Sequence, residues 1–359
     1  MKYGAIAGGE KSTVQAAFNI MENGGNAFDA AVGAVFTSMV SEYCLTGPGG
    51  GGAFLASPVN AEPILFDFFV DTPHPQPEKE LDFFSIIVDF GPSQQQFHIG
   101  QGSVAIPGNI AGLLKVHQRL GQIPLKAVLE PAVNAARDGI ILNSSQGYLI
   151  KILEPILTHS NGGKVLFSPN GKLLKKDDRF KNPKFADLLE ILVAEGHMYF
   201  YEKDGAELIL NTVGEKGLLT KEGLALYRVA ERVPLKSEFR GKTIYTNPAP
   251  AIGGTLITFF LQLLERSKTG TKSELIDLIR AMQITSAARR EISIDMNNEF
   301  QISQLLEPRT FNHYLRLFDS ESTPSQNEKD PVSRGATTHV SVIDKHGNAA
   351  SVTTTNGEG

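Results

Sequence analysis

Apolar and polar positions along the chain alternate between two periods. Residues 12–22 place Val14, Ala17, Phe18 and Met21 on one face at the helical repeat, with Ser12 as the expected N-cap and Gly24-Gly25 as the stop. A second helix is expected from Asn26 to about Val40, rich in Ala27, Ala30, Ala31, Gly33 and Ala34, a surface that lets another element approach closely. The glycine run Gly47–Gly52 leads into a strand at 53–56, and 63–69 reads as another. Residues 100–107 end in a turn, and 108–121 form an amphipathic helix. A helix over 124–138 closes at Gly139, with further helices over 184–195 and 273–290 and a strand over 240–247. Pro248–Gly254 reads as a turn entering a helix at Thr255. Helices layered on sheets account for this mixture, and no internal repeat is visible.

The last segment carries the chemistry. Residues 319–335 hold almost no large apolar side chain and read as a mobile linker or exposed loop. Thr338–Ile343 then alternates as a strand, Asp344–Asn348 turns, and Ala349–Thr355 forms a second strand. An ordinary edge hairpin is one reading. A cleavage site is the other, because a small residue, Ala336, precedes Thr337 at a strand start. Breaking the Ala336–Thr337 bond would give Thr337 a free α-amine. The unperturbed pKa of such an amine, about 7.7–8.0, lets it take the proton of the same residue's hydroxyl near neutral pH.

Composition narrows the classes. The 359 residues are 41% hydrophobic and 20% charged, which suits an ordinary globular core. A net charge of −5 argues against a nucleic-acid partner. No charge run or apolar span marks a membrane partner. One cysteine, Cys44, excludes a disulfide framework and a cysteine zinc site, and reads as a buried structural thiol. No histidine pair has metal-ligand spacing, so neither metal nor cofactor is expected. No signal peptide is visible, which makes a cytoplasmic location the default expectation.

Met21–Val32, Gly47–Gly52, Ser103–Leu113, Gly121–Leu125, Leu129–Ala132 with Ala136–Gly139, Gly217–Thr220, Pro248–Gly254 and Thr337–Asp344 follow one another in a fixed order. In these segments, over nearly its whole length, the chain resembles the γ-glutamyltranspeptidase family, and the resemblance carries further expectations. It implies an α+β fold, a four-layer αββα sandwich of the N-terminal-nucleophile hydrolase type. It implies a precursor that cuts itself between Ala336 and Thr337, with 1–336 in the large subunit and 337–359 opening the small one, the pieces staying together. Thr337 would be the nucleophile, Thr355 its hydrogen-bonding partner, and Asn356 a donor-binding residue. The substrate class is a small-molecule amide. The acyl-enzyme would be resolved by water or an amine, with backbone N–H groups holding the oxyanion. A homo-oligomer stays open.

Two departures qualify the resemblance. Family members carry an arginine in a segment like Asp67–Pro73, where it pairs with the donor's α-carboxylate; here Phe69 stands in its place. The family's small subunit also continues well past this hairpin, with oxyanion-hole glycines and further donor contacts. The alternatives are therefore a glutaryl or cephalosporin-type acylase, a small-amide hydrolase, or a non-catalytic paralogue. A nucleotide-binding reading of Gly47–Gly52 fails for want of a Gly-Lys-Ser/Thr ending. His339 is expected to be structural support on the Thr337 face, and Asp29 a capping or pairing residue.

Overall fold

A computed structural model of the chain describes residues 4–72, 79–91, 93–266, 275–291, 303–320 and 336–357. Of the expected linker, Asp319 and Ser320 end a helix, and 321–335 lie outside the described residues. The chain divides into two units, one of residues 1–62, 66–231 and 332–359, the other of 63–65 and 232–331.

The first unit is built on a six-stranded sheet. Its strands are β1 (Gly4–Ala7), β2 (Gly51–Ser57), β3 (Ile64–Phe68), β4 (Ala230–Arg232), β5 (Ala336–Asp344) and β6 (Ala349–Gly357), in the order β1-β5-β6-β2-β3-β4. The expected C-terminal hairpin is therefore central. β5 pairs antiparallel with β6, Val340 opposite Val352, and β6 pairs antiparallel with β2, Val352 opposite Phe54. The other sheets among the described residues are two-stranded, including the hairpin Phe84–Asp89 with Gln94–Ile99.

Helices α1 (Lys11–Glu22), α2 (Ala27–Ser41), α3 (Asn109–Leu120) and α4 (Leu125–Asp138) carry the core. All fifteen residues of α2 are buried, and it packs against α1, α3, α4, β5 and β6. An apolar surface on every side is what a fully enclosed helix requires. Gly33 is needed there because a methyl would run into Ile20 of α1 and the Val128 carbonyl of α4. Period-two alternation sends Val340, Val342, Ala350, Val352, Phe54 and Ala56 into this core. The opposite, outer face of the hairpin carries Thr337, His339 and Ser341 beside Thr355, Thr353 and Ser351.

One helix start needs correction. The α1 N-cap is Glu10, not Ser12: the Glu10 carboxylate accepts the Ser12 N–H at 2.5 Å. An acidic side chain also suits the positive end of the helix. The second helix begins as expected, with Asn26 and Asp29 in a reciprocal capping box. Gly24 takes φ +91° to end α1. Cys44 is buried as expected, in the turn after α2, and burial pushes its thiol up to about 12.

In the second unit, helices Ile252–Arg266, Leu275–Glu291 and Pro308–Asp319 enclose a core of Phe259, Leu263, Ile284, Phe311, Tyr314 and Phe318. Phe259 meets Phe311 and Tyr314 edge-on at 5.5 and 5.6 Å. The strand expected over 240–247 is Lys242–Thr246, paired with Leu235–Phe239. The helix expected at Thr255 starts three residues earlier, at Ile252.

Candidate active site

The structure brings the four site positions expected from sequence to the open end of the β5–β6 hairpin. Thr337 lies opposite Thr355, and Ala336 lies opposite Gly357, so the register slips between Ala336 and Thr337. Asn356 is the additional residue on β6. Such a bulge breaks the ladder and redirects side chains. It falls on the bond expected to be cut. Thr337 is exposed, Thr355 is half-buried, and the Thr355 hydroxyl accepts the Gly357 N–H at 3.0 Å.

Asn356 is held by the segment that follows α2. Its N–H donates to the Leu45 carbonyl at 3.2 Å, and its Nδ2 donates to the Tyr43 carbonyl at 3.3 Å. The glycine run packs against the same strand end. A methyl on Gly50 would collide with the Thr355 carbonyl oxygen, and Gly47 faces the Asn356 amide. The Gly50 carbonyl accepts the N–H groups of Gly108 and Asn109 at 2.9 and 3.0 Å, and Asn109 Nδ2 donates to the Gly47 carbonyl at 2.8 Å. The run is thus a tight backbone passage beside Thr355.

Phe69 closes the same row across the sheet. Thr355 faces Gly51, and Gly51 is pressed against the Phe68–Val70 backbone. Thr337 and Phe69 are therefore three strand positions apart, about 14 Å at the usual strand spacing. The ring is 56% exposed. Its backbone is fixed: Phe69 N–H donates to Asp67 Oδ1 at 3.2 Å, and the Tyr227 hydroxyl donates to the Phe69 carbonyl at 2.9 Å. Tyr227 stacks on Tyr201 at 5.6 Å, whose hydroxyl donates to the Pro107 carbonyl at 2.6 Å. Burial raises both phenol pKa values, which keeps these hydroxyls protonated as donors.

His339 shares the outer face with Thr337, as alternation required. Its Nδ1 lies 2.8 Å from the Thr353 hydroxyl and its Nε2 2.9 Å from the Ser341 hydroxyl. Desolvation lowers its pKa and favours the neutral ring. These bonds tie β5 to β6, which fits structural support.

Sequence reading missed the buried acid behind the hairpin, Glu42, while Asp29 caps and pairs as expected. Glu42, directly after α2, is buried, and its two oxygens accept the hydroxyls of Thr338 and Thr13 at 2.5 and 2.7 Å. A lone acid between an apolar helix and a glycine run was the available signal. At the other end of α2, Asp29 accepts N–H groups from Asn26, Gln122 and Ile123, and lies 3.7 Å from His117 Nε2. Desolvation raises the Asp29 pKa, against those hydrogen bonds and the His117 charge.

The class that this fold and hairpin define is shared with known proteins. The chain belongs to the gamma-glutamyltranspeptidase family, whose sequence profile matches residues 13–359. It is 29% identical over 368 residues to the glutathione hydrolase proenzyme of Escherichia coli strain K12, an alignment covering 99% of this chain and 63% of that protein. It is 28% identical to the acylase ACY 1 proenzyme of Pseudomonas sp. strain SE83, over 94% of this chain and 62% of the relative. The chain thus spans less than two thirds of the length of these relatives. Among solved structures, the γ-glutamyltranspeptidase of Helicobacter pylori superposes with a TM-score of 0.76 at 24% identity, covering 93% of this chain and 95% of that one. The fold is that of the N-terminal-nucleophile hydrolases, an α+β sandwich, to which the described residues contribute the helix-backed sheet.

Proposed function

We propose that the protein is a self-cleaving γ-glutamyltransferase-like amidohydrolase with Thr337 as its nucleophile. The observation that carries the reading is the register slip at Ala336–Thr337, which sets an exposed Thr337 opposite Thr355 beside the glycine run. In the cleavage step the Thr337 hydroxyl attacks the Ala336 carbonyl carbon. The C–N bond breaks, its nitrogen takes up a proton, and an ester joins Ala336 to Thr337 Oγ1. Water hydrolyses the ester, leaving a carboxylate on Ala336 and a free amine and hydroxyl on Thr337. Residues 1–336 and 337–359 then belong to separate subunits of one assembly.

In the catalytic cycle the new amine takes the proton of the Thr337 hydroxyl, which attacks the donor's amide carbonyl. The leaving amine departs with that proton, and water or a second amine resolves the acyl ester. Thr355 orients the nucleophile and Asn356 contacts the donor. The test is intact-mass and peptide mapping after brief exposure to a γ-glutamyl anilide. An acyl increment on the peptide beginning at Thr337 is expected; an increment elsewhere, or none with turnover present, would reject the assignment.

Phe69 favours a second reading of the donor. An exposed phenyl ring cannot pair with a carboxylate, and Asp67 and Asp71 lie close in sequence on either side of it. A γ-glutamyl group and a glutaryl group both carry a carboxylate at the end distant from the scissile amide. An acyl group with an uncharged end suits the ring better, which is the small-amide hydrolase reading. Comparing γ-glutamyl, glutaryl and butyryl anilides decides it: the highest kcat/KM for butyryl supports this reading, and the highest for γ-glutamyl rejects it.

A further inference from the structure

We propose that Glu42 is a positioning residue for cleavage of the Ala336–Thr337 bond, holding both strands of the hairpin on either side of the bulge. The proposal rests on the reading of Thr337 given above.

Glu42 is 8% exposed; it caps the C-terminal end of α2, and its carboxylate reaches across to Thr13 in the first turn of α1. Both of its oxygens are met by hydroxyls rather than by a cation. Room is also kept for it, since a methyl on Gly9 would collide with its carboxylate.

What the placement achieves is geometric. Oε2 accepts the hydroxyl of Thr338, the neighbour of Thr337 on β5, and Oε1 accepts the hydroxyl of Thr13 on α1. Thr13 Oγ1 also lies 2.9 Å from Ser41 Oγ, which closes the network onto α2. The Glu42 carbonyl accepts the N–H groups of Leu45 and Thr46 at 2.7 and 3.1 Å. That turn presents the Tyr43 and Leu45 carbonyls to Asn356 on β6. One residue thus grips β5 through its side chain and β6 through the turn it begins. Attack of a hydroxyl on the preceding carbonyl needs the two atoms about 3–3.5 Å apart and aligned, and a 1 Å misplacement costs about a hundredfold. Glu42 acts through Thr338 and Asn356 and exchanges no proton in the reaction.

The test follows cleavage of freshly made full-length precursor by denaturing gel and intact mass, with thermal unfolding of each precursor alongside. Glu42→Gln is expected to slow cleavage tenfold or more, with Glu42→Asp recovering part of the rate. Thr338→Val is expected to slow it similarly. The Glu42→Gln/Thr338→Val double variant is expected to be no slower than the slower single, because both act on the Glu42–Thr338 contact. Wild-type rates in both single variants, or losses that multiply in the double, would overturn the proposal. If Glu42→Gln fails to fold, Thr338→Val against Thr338→Ser decides: slow cleavage with valine and recovery with serine support it, and equal rates overturn it. A wild-type precursor that cuts elsewhere or not at all would instead overturn the reading of Thr337, and this proposal with it.

Discussion

The two ends of α2 each hold a buried acid, and they are built differently. At the start, Asp29 sits where the helix dipole favours a negative charge and takes three backbone N–H donors. Asp344, from the hairpin turn, donates nothing there; its Oδ2 accepts the Ala27 N–H at 3.1 Å and fastens the closed end of the hairpin to the helix. At the finish, Glu42 takes two side-chain hydroxyls, one from the first turn of α1 and one from β5. The first end satisfies the backbone groups that a helix start leaves unpaired. The second end holds the strands around Thr337. The contrast separates a carboxylate that maintains the fold from one that sets the geometry of a bond.

The largest expected effect is at the open end. Gly50→Ala forces the glycine run away from the Thr355 carbonyl. Cleavage of the precursor should fall at least a hundredfold, about the consequence of a 1 Å displacement, measured by gel densitometry over time. Asp29→Ala strands three N–H groups at the closed end. It should lower stability by about 3 kcal/mol, read from urea unfolding, while precursor that remains folded cleaves at the wild-type rate. A cleavage defect in Asp29→Ala as large as that of Glu42→Gln would erase the distinction between the two ends.

A pH dependence sharpens it further. Burial pushes the Asp344 pKa up, but hydrogen bonds from the Asn348 side chain and the N–H groups of Ala27, His346 and Asn348 outweigh it, and the net pKa lies below the usual carboxylate value. A folded-state pKa below the unfolded one, about 3.9, contributes stability that is present above that value and lost as pH falls through the folded pKa. Asp344→Asn should therefore be less stable than wild type at pH 7, and the difference should shrink toward pH 3, followed by urea midpoints. The smallest effect concerns Cys44, two residues from Glu42. Its thiol, pushed up to about 12 by burial, should react with iodoacetamide at pH 8 far more slowly than a free thiol. That slow rate should persist in Glu42→Gln, which would show that the packing around position 42 is intact.

Much of the hairpin was legible in sequence because period-two alternation and β-branched residues specify a strand locally. The same holds for α2, whose apolar run starts at an Asn26 capping box and stops before a glycine run. The register slip was not legible: it depends on Asn356 finding the Tyr43 and Leu45 carbonyls, more than three hundred positions earlier in the chain. β1 was missed for the same reason, since Gly4–Ala7 is a strand only through its pairing with Ser341–Asp344. Glu42 was missed because one buried acid has no periodicity. The N-cap error at Ser12 shows the limit of a local rule, as the helix starts earlier: the Glu10 carboxylate accepts the N–H of Ser12, which leaves Ser12 inside the first turn. The resemblance carried the assignment of Thr337, Thr355 and Asn356, which local pattern left as an ordinary edge hairpin.

Intact mass of the full-length precursor beside its Thr337→Ala variant tests the central claim most directly. The account predicts two pieces in the wild type, the smaller beginning at Thr337, and one uncut chain in the variant. A wild type that stays whole, or a variant that is cut at the same bond, would contradict it.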